Sequence, residues 1–144
     1  RAILDINLMG TIFCCQAACE VMKRKRWGRI VNVSSQAGVR GVPNGRMANY
    51  AVAKAAIVQY TRALAAEVGP YGINVNCIAP AYIKSSRAVA QFPEREKLAA
   101  TIPLRRLGEP EDAAKVVEFF CTDLSDYVTG QCLAVCGGLV LSPS

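Results

Sequence analysis

The sequence predicts an α/β fold built on a parallel sheet, because short apolar strand segments alternate with longer segments of helical periodicity. With 144 residues, of which 52% are hydrophobic and 19% charged, the chain has the length and composition of one globular domain. We expect strands at residues 29–34, 73–79 and 132–135, separated by helices. Strands that are separated by helices are typical of parallel sheets.

The first segment is predicted to be an amphipathic helix that runs to about Arg26. Apolar residues recur at helical spacing from the start of the chain, and Trp27 with Gly28 is the expected stop. The basic run at 23–26 falls in the last turn, where cations complement the helix dipole. Because helical register begins at once and Arg1 stands in place of a methionine, we expect the sequence to be part of a longer chain.

The next strand, residues 29–34, is apolar and β-branched at alternate positions, as expected for a buried parallel strand. It ends at Ser34 and Ser35, and a loop over 39–47, rich in turn residues, follows. A second long helix is expected at about 49–68, where a Gly-Pro pair ends it.

The C-terminal part continues the same alternation. Strand 73–79 is followed by a polar, basic segment at about 86–106, which has weak helical character near 95–100. A further helix opens at 108–112, with proline in its first turn and acidic residues at its positive end. The strand at 132–135 is expected to complete the sheet.

The most specific chemical signal is the pair Tyr50 and Lys54. A separation of four residues on a helix puts both side chains on one face, about 6 Å apart along the axis. A phenol titrates near pH 10, and a fixed ammonium beside it stabilises the phenolate and lowers its pKa toward neutrality. With Ser35 at the carboxyl end of the preceding strand, where open α/β sheets bind ligands, these residues form a candidate catalytic group.

Five segments in one order resemble the short-chain dehydrogenase/reductase family, whose members are NAD(P)-dependent oxidoreductases. They are Asn7 to Gly10, Gly28 to Ser35, Tyr50 to Lys54, Gly72 to Asn76, and Thr129 to Gln131. The resemblance covers about residues 3–140 and implies the C-terminal half of a Rossmann-type, doubly wound parallel sheet. The family's glycine-rich phosphate loop is not in this sequence, so residues 1–144 are expected to be a single incomplete domain without the N-terminal dinucleotide-binding half.

The resemblance also implies roles for individual residues. Tyr50 is the general acid or base, Lys54 lowers its pKa and binds the nicotinamide ribose, and Ser35 holds the substrate oxygen. Asn7 matches the asparagine that supports a proton relay, which completes a Tyr-Lys-Ser-Asn tetrad. The segment at about 86–106 corresponds by position to the family's substrate lid.

The cofactor is expected to be NAD or NADP, and this sequence does not decide between them. Besides Tyr50 and Lys54, the residues implied to contact it are Pro80, Ile83 and Ser85, from the turn that lies against the nicotinamide in the family. Where most members have glycine in this turn the sequence has Ala81, which is acceptable only with a negative φ.

The expected reaction is hydride transfer between nicotinamide and a carbonyl or secondary alcohol. The substrate is a small molecule or an acyl chain on an acidic carrier protein. Arg26 matches an arginine that grips such a carrier, whereas Tyr71 occupies the companion basic position. Two alternatives remain open: a non-catalytic binding or regulatory protein on the same fold, and an extended-branch epimerase or dehydratase, against which the short tail after Gly138 argues.

Composition limits the other classes of function. The net charge of +6 is explained by an anionic cofactor or substrate, and the basic run lacks the interleaved aromatic residues of nucleic-acid binders. No apolar run of membrane-spanning length or leader is evident, so we expect a cytoplasmic protein, and by resemblance a homodimer or homotetramer. With no histidine, we expect no metal site, and buried free thiols at the seven cysteines: Cys14, Cys15, Cys19, Cys77, Cys121, Cys132 and Cys136.

Overall fold

The computed structural model describes residues 1–40, 47–84 and 93–141. Its centre is a parallel sheet in the order β1 (Gly28–Val33), β2 (Ile73–Pro80) and β3 (Cys132–Val135). Helices α1 (Ala2–Lys25) and α3 (Ala48–Val68) pack on the sheet and on each other, while α4 (Pro110–Cys121) packs across all three strands. The α/β fold with a parallel, Rossmann-type sheet is therefore confirmed for this part of the chain.

The main core lies between α1, α3 and the middle strand. Alternate residues of β2 face the two helices, and the apolar side chains that meet there are almost wholly buried. Each fully buried aliphatic side chain contributes roughly 1.5–3 kcal/mol relative to exposure. The buried members of this cluster are Cys15, Cys19, Leu64, Ala65, Val68, Ile73 and Val75.

Helix α1 contains a π-helical turn over Asp5–Met9 that sequence periodicity did not indicate. The helix ends one residue earlier than expected, because Arg26 itself takes the left-handed conformation with φ of 54°. The turn is tight: at Gly72, where φ is 73°, an added Cβ would lie 2.6 Å from the carbonyl oxygen of Arg26. The predicted stop at Trp27 and Gly28 was therefore right to within a residue, but the capping residue is an arginine.

Two asparagines of β2 hold the segment that leads into β3. The Asn76 side chain donates to the carbonyl of Val128 at 2.8 Å and accepts from the backbone N–H of Gln131 at 3.0 Å. Asn74 donates to the carbonyls of Asp126 and Val128. Two sequence segments that are 55 residues apart thus form one structural unit beside the sheet.

The other boundaries agree with the sequence to within one or two residues, with one addition. A short helix, α2 (Gln36–Arg40), begins directly after Ser35 where a loop was expected. Part of the predicted loop, 41–46, lies outside the described residues, as do 86–92 of the proposed lid. The weakly helical region is a 3-10 helix, Pro93–Thr101.

Contrary to the sequence-based expectation, α1 is long and apolar enough to cross a membrane by length and composition alone. Core helices of soluble proteins meet the same criterion. Several of its apolar side chains are exposed in this chain, among them Ile6 and Phe13. Exposed apolar faces of this kind are found where a protein contacts another protein or a membrane.

The prediction that all seven cysteines are buried was wrong for two of them. All are free thiols, but Cys14 and Cys121 are exposed. Cys132 does not share a strand face with Cys136, which lies beyond the end of β3. Its neighbour is Cys77, directly opposite on β2.

Candidate active site

The carboxyl end of β1 is tied to the second turn of α3 by two hydrogen bonds. The ammonium Nζ of Lys54 donates to the carbonyl oxygen of Val33 at 3.0 Å. In the opposite direction, Ser34 Oγ donates to the backbone carbonyl of Lys54 at 2.7 Å. Lys54 is therefore fixed at the strand end through its side chain and its backbone.

Tyr50 and Lys54 lie on the same face of α3, as their spacing predicts. The Lys54 Nζ is 5.6 Å from the centroid of the Tyr50 ring, within the range of cation–π attraction. Burial lowers the pKa of Lys54 from its ordinary value, since low-dielectric surroundings disfavour the charged form. The lysine is thus a partly desolvated cation beside a phenol.

Ser35 caps the short helix α2. Its Oγ accepts the backbone N–H of Ala37 at 3.2 Å, and its carbonyl accepts that of Gly38 at 2.9 Å. A hydroxyl has one donor and two acceptor positions, so a hydrogen bond accepted from Ala37 leaves the hydroxyl proton to be donated elsewhere. Because α2 packs on α3, this capped serine lies on an element that contacts the helix of Tyr50 and Lys54.

Asn7 lies within the π-helical turn of α1. Its side-chain Nδ2 donates to the backbone carbonyl of Ile3 at 3.1 Å, and its backbone carbonyl accepts a hydrogen bond from Thr11 Oγ1 at 2.8 Å. Asn7 and Lys54 both line a cleft of about 690 Å³ between α1 and β1. Single π-helical turns occur frequently at functional sites, and no periodicity in the sequence could have signalled this one.

The turn after β2 is held by backbone hydrogen bonds to two other elements. Ala81 N donates to Val135 O at 3.1 Å, and Lys84 N donates to Gly108 O at 2.8 Å. Within the turn, Ile83 N donates to Ala81 O at 3.1 Å. Among the described residues other than glycine, positive φ occurs only at Arg26 and Arg105, so the negative φ expected of Ala81 is confirmed.

Of the three turn residues implied to contact the cofactor, the structure describes two. Pro80 ends β2 and Ile83 makes a bridge to Gly108, which joins the turn to the segment before α4. Ser85 lies outside the described residues.

The family model described as enoyl-(acyl carrier protein) reductase matches residues 1–140. The chain belongs to the short-chain dehydrogenase/reductase family. Among curated relatives, cyclohexanol dehydrogenase of Rhodococcus sp. (strain TK6) is 49% identical over 138 residues, which is 94% of this chain and 51% of the relative. The 3-oxoacyl-[acyl-carrier-protein] reductase FabG of Aquifex aeolicus (strain VF5) is 39% identical over 138 residues, which is 95% of this chain and 55% of the relative.

Solved structures of short-chain dehydrogenase/reductase proteins superimpose closely. An NAD+-bound xylitol dehydrogenase matches with a TM-score of 0.85 and 33% identity, over 94% of this chain and 58% of that one. A Beutenbergia cavernae protein is assigned as an NAD(P)-dependent gluconate 5-dehydrogenase, with NADP bound at low occupancy. It matches with a TM-score of 0.88 and 35% identity, over 96% of this chain and 56% of that one. These two structures show that relatives on this fold bind either NAD or NADP.

The chain spans about half the length of the curated relatives it matches.

Proposed function

We propose that this protein is an NAD(P)-dependent oxidoreductase that transfers a hydride between nicotinamide and a carbonyl or secondary-alcohol carbon. The observation that carries the proposal is the position of Lys54: its Nζ contacts the last carbonyl of β1 and lies 5.6 Å from the Tyr50 ring. This arrangement puts an ammonium beside a phenol at the ligand-binding end of a parallel strand.

Tyr50 is the proposed proton-transfer group. In reduction its Oη donates a proton to the carbonyl oxygen of the substrate, and in oxidation the phenolate takes the proton from the hydroxyl. General acid or base catalysis of this kind contributes typically 10²–10⁴-fold to the rate. The Lys54 ammonium lies beside the phenol, where its positive charge would stabilise the negative charge that develops on Oη during proton transfer.

Ser35 and Asn7 have supporting roles in this proposal. The Ser35 hydroxyl, which already accepts from Ala37, donates to the substrate oxygen and so orients the reacting carbon. Asn7 shares the cleft with Lys54, which supports its role in a proton relay between solvent and the lysine.

The residues present fit a nicotinamide dinucleotide. Lys54 carries three N–H donors, of which the Val33 carbonyl takes one, and ribose hydroxyls accept such donors. Pro80, Ile83 and Ser85 are the proposed contacts on the nicotinamide side, and the described part of this turn is anchored by Val135 and Gly108. A bound NAD or NADP would supply or accept the hydride, which no side chain can do.

The proposed substrate is a small secondary alcohol or ketone, in line with the 49% identity to a cyclohexanol dehydrogenase. An acyl chain on a carrier protein is the second candidate. In its favour, the Arg26 guanidinium lies 5.5 Å and Lys23 Nζ 5.2 Å from the centroid of the Tyr71 ring, which gathers positive charge at the end of α1. Such a surface would attract an acidic carrier.

The proposed assembly is a homodimer or homotetramer in the cytoplasm. The exposed apolar side chains of α1, such as Phe13 at 59% exposure, support contact with another polypeptide. Free thiols at all seven cysteines agree with a reducing compartment.

The test is a spectrophotometric assay of the full-length protein with NAD(H) and NADP(H), over a panel of ketones, cyclic alcohols, sugars and 3-oxoacyl thioesters. Tyr50→Phe should abolish turnover, whereas Tyr60→Phe, on the same helix, should retain it. Tyr60 is a suitable control because its side chain packs against the main core, and burial raises its pKa to about 12.

Three results would contradict the proposal. Undiminished turnover in Tyr50→Phe would remove Tyr50 from the chemistry. Dinucleotide binding without turnover of any substrate class would favour the non-catalytic alternative, and epimerisation or dehydration of a sugar nucleotide would favour the extended branch.

A further inference from the structure

Ser34 joins three elements of the fold. Its side chain is 3% exposed, and its Oγ donates to the Lys54 carbonyl on α3 at 2.7 Å. Its backbone N–H donates to the carbonyl of Ile78 on β2 at 2.8 Å. Ser34, directly after β1, is therefore bound to the neighbouring strand by its backbone and to α3 by its side chain.

The hydrogen bond from Ser34 is an addition to those that the helix needs. The carbonyl of Lys54 lies inside α3, where it accepts the helical N–H of Val58 in the ordinary pattern. A second donor from another element does not satisfy an orphan group. Its effect is to fix where this turn of the helix lies relative to the strand end.

A close backbone contact acts at the same peptide. A Cβ added at Gly38 would lie 2.5 Å from the Lys54 carbonyl carbon and 2.6 Å from the nitrogen of Ala55. Helix α2 is therefore in direct contact with the Lys54–Ala55 peptide, with no room for a methyl group. Ser35, which caps α2, therefore lies in a short segment that touches the Lys54–Ala55 peptide at both ends, through the Ser34 hydroxyl and through Gly38.

We propose that Ser34 is a positioning residue that fixes Lys54 beside Tyr50, an inference that rests on the proposed function. Through the Lys54 carbonyl, the Ser34 hydroxyl sets how far this turn of α3 lies from the end of β1, and so whether the ammonium can bind the Val33 carbonyl and remain beside the phenol. Without it, this turn of α3 moves away from the strand end, and the charge that favours the Tyr50 phenolate is less well placed.

The test is the pH dependence of kcat/KM for alcohol oxidation in Ser34→Ala. Because a less stabilised phenolate has a higher pKa, the acid limb should move upward by about half a pH unit or more, and kcat should fall several-fold with little change in KM. Ser34→Cys keeps a side chain of similar size with a weak hydrogen-bond donor. The acid limb of this variant should therefore lie between those of wild type and Ser34→Ala. It also maintains the test if Ser34→Ala folds poorly.

Thr61→Val is the matched control. Thr61 also carries a buried hydroxyl on α3, which donates to the Ile57 carbonyl at 2.8 Å and accepts from Asn32 Nδ2 at 3.0 Å. Its loss should lower the melting temperature and leave the acid limb in place. The positioning role would be overturned if the acid limb of kcat/KM in Ser34→Ala lay at the wild-type pH. An equal shift of the acid limb in Thr61→Val would overturn it as well.

A second readout separates this inference from the proposed function. Ultraviolet titration of tyrosinate, with Tyr50→Phe as the difference reference, measures the phenol pKa without any substrate. A higher Tyr50 pKa in Ser34→Ala than in wild type supports the positioning role even if no substrate turns over. An unchanged phenol pKa overturns it even in an active enzyme.

Discussion

The ammonium of Lys54 donates a hydrogen bond of 3.0 Å to the carbonyl of Val33, the last residue of β1. A lysine that is half-buried and bound to a strand end has few alternative positions. The hydrogen bond to the backbone of the sheet therefore holds the ammonium beside the Tyr50 ring. The helix alone does not determine this position of the ammonium.

This relationship makes Lys54→Met informative. Loss of the cation should lower kcat/KM by roughly 100-fold or more, and it should move the acid limb for alcohol oxidation to higher pH, because the phenolate is no longer stabilised. Steady-state kinetics across pH provide the measurement. Lys115→Met, at an exposed position on α4, removes the same charge from a helix that does not line the cleft and should leave both quantities unchanged. Equal losses in the two variants would contradict a specific role for Lys54.

The second prediction concerns the asparagine clasp, by which we mean Asn74 and Asn76 of β2 and the hydrogen bonds they make to residues 126–131. Asn76 is 1% exposed, donates to the Val128 carbonyl and accepts from the Gln131 N–H. In Asn76→Ala the Gln131 N–H loses its partner, whereas the Val128 carbonyl keeps the hydrogen bond from Asn74. A buried group left unsatisfied costs about 1–3 kcal/mol, and we expect a loss of about that size in the free energy of unfolding.

Chemical denaturation of the full-length protein measures this loss. Asn74→Ala provides the comparison, because Asn74 is less buried and only donates, to Asp126 and Val128. We expect a smaller loss for it. If Asn74→Ala proved the more destabilising change, the clasp would not depend on the paired donor and acceptor of Asn76.

The third prediction is a pH dependence of stability at the start of α4. The Asp112 carboxylate accepts two hydrogen bonds from Arg106 and one from the backbone N–H of Glu109, where it forms a capping box. The Arg106 guanidinium, together with the Glu109 N–H, holds the pKa of Asp112 well below its usual range. Because the pKa is depressed in the folded state, the contribution is complete above the unfolded pKa of about 3.9 and is lost as pH falls through the folded value.

In Asp112→Asn the melting temperature should therefore fall at neutral pH and converge with that of wild type in strong acid. Differential scanning calorimetry from neutral to acidic pH would measure both effects. Glu111→Gln removes a negative charge from the same helical turn. It should leave the acid-dependent loss of melting temperature intact. A constant difference between Asp112→Asn and wild type at every pH would show that the carboxylate charge is not responsible.

Local features of the sequence were sufficient for the order of elements and for most of their ends. Gly69 and Pro70 end α3 because proline lacks an N–H and restricts the residue before it, and both effects act within a few residues. The shared face of Tyr50 and Lys54 likewise follows from helical geometry alone. Of the catalytic assignments, this spacing is the part that the sequence predicts most directly.

Periodicity and local motifs were enough to predict the α/β class, the parallel sheet, the family resemblance and the set of candidate residues. The contacts between distant residues had to be seen in the folded chain: Ser34 with the Lys54 carbonyl, Asn76 with Gln131, and Cys132 with Cys77. These contacts join residues that are 20 to 55 positions apart. Strand register and helix packing bring them together, and both depend on burial of the whole core, to which no short segment contributes enough on its own.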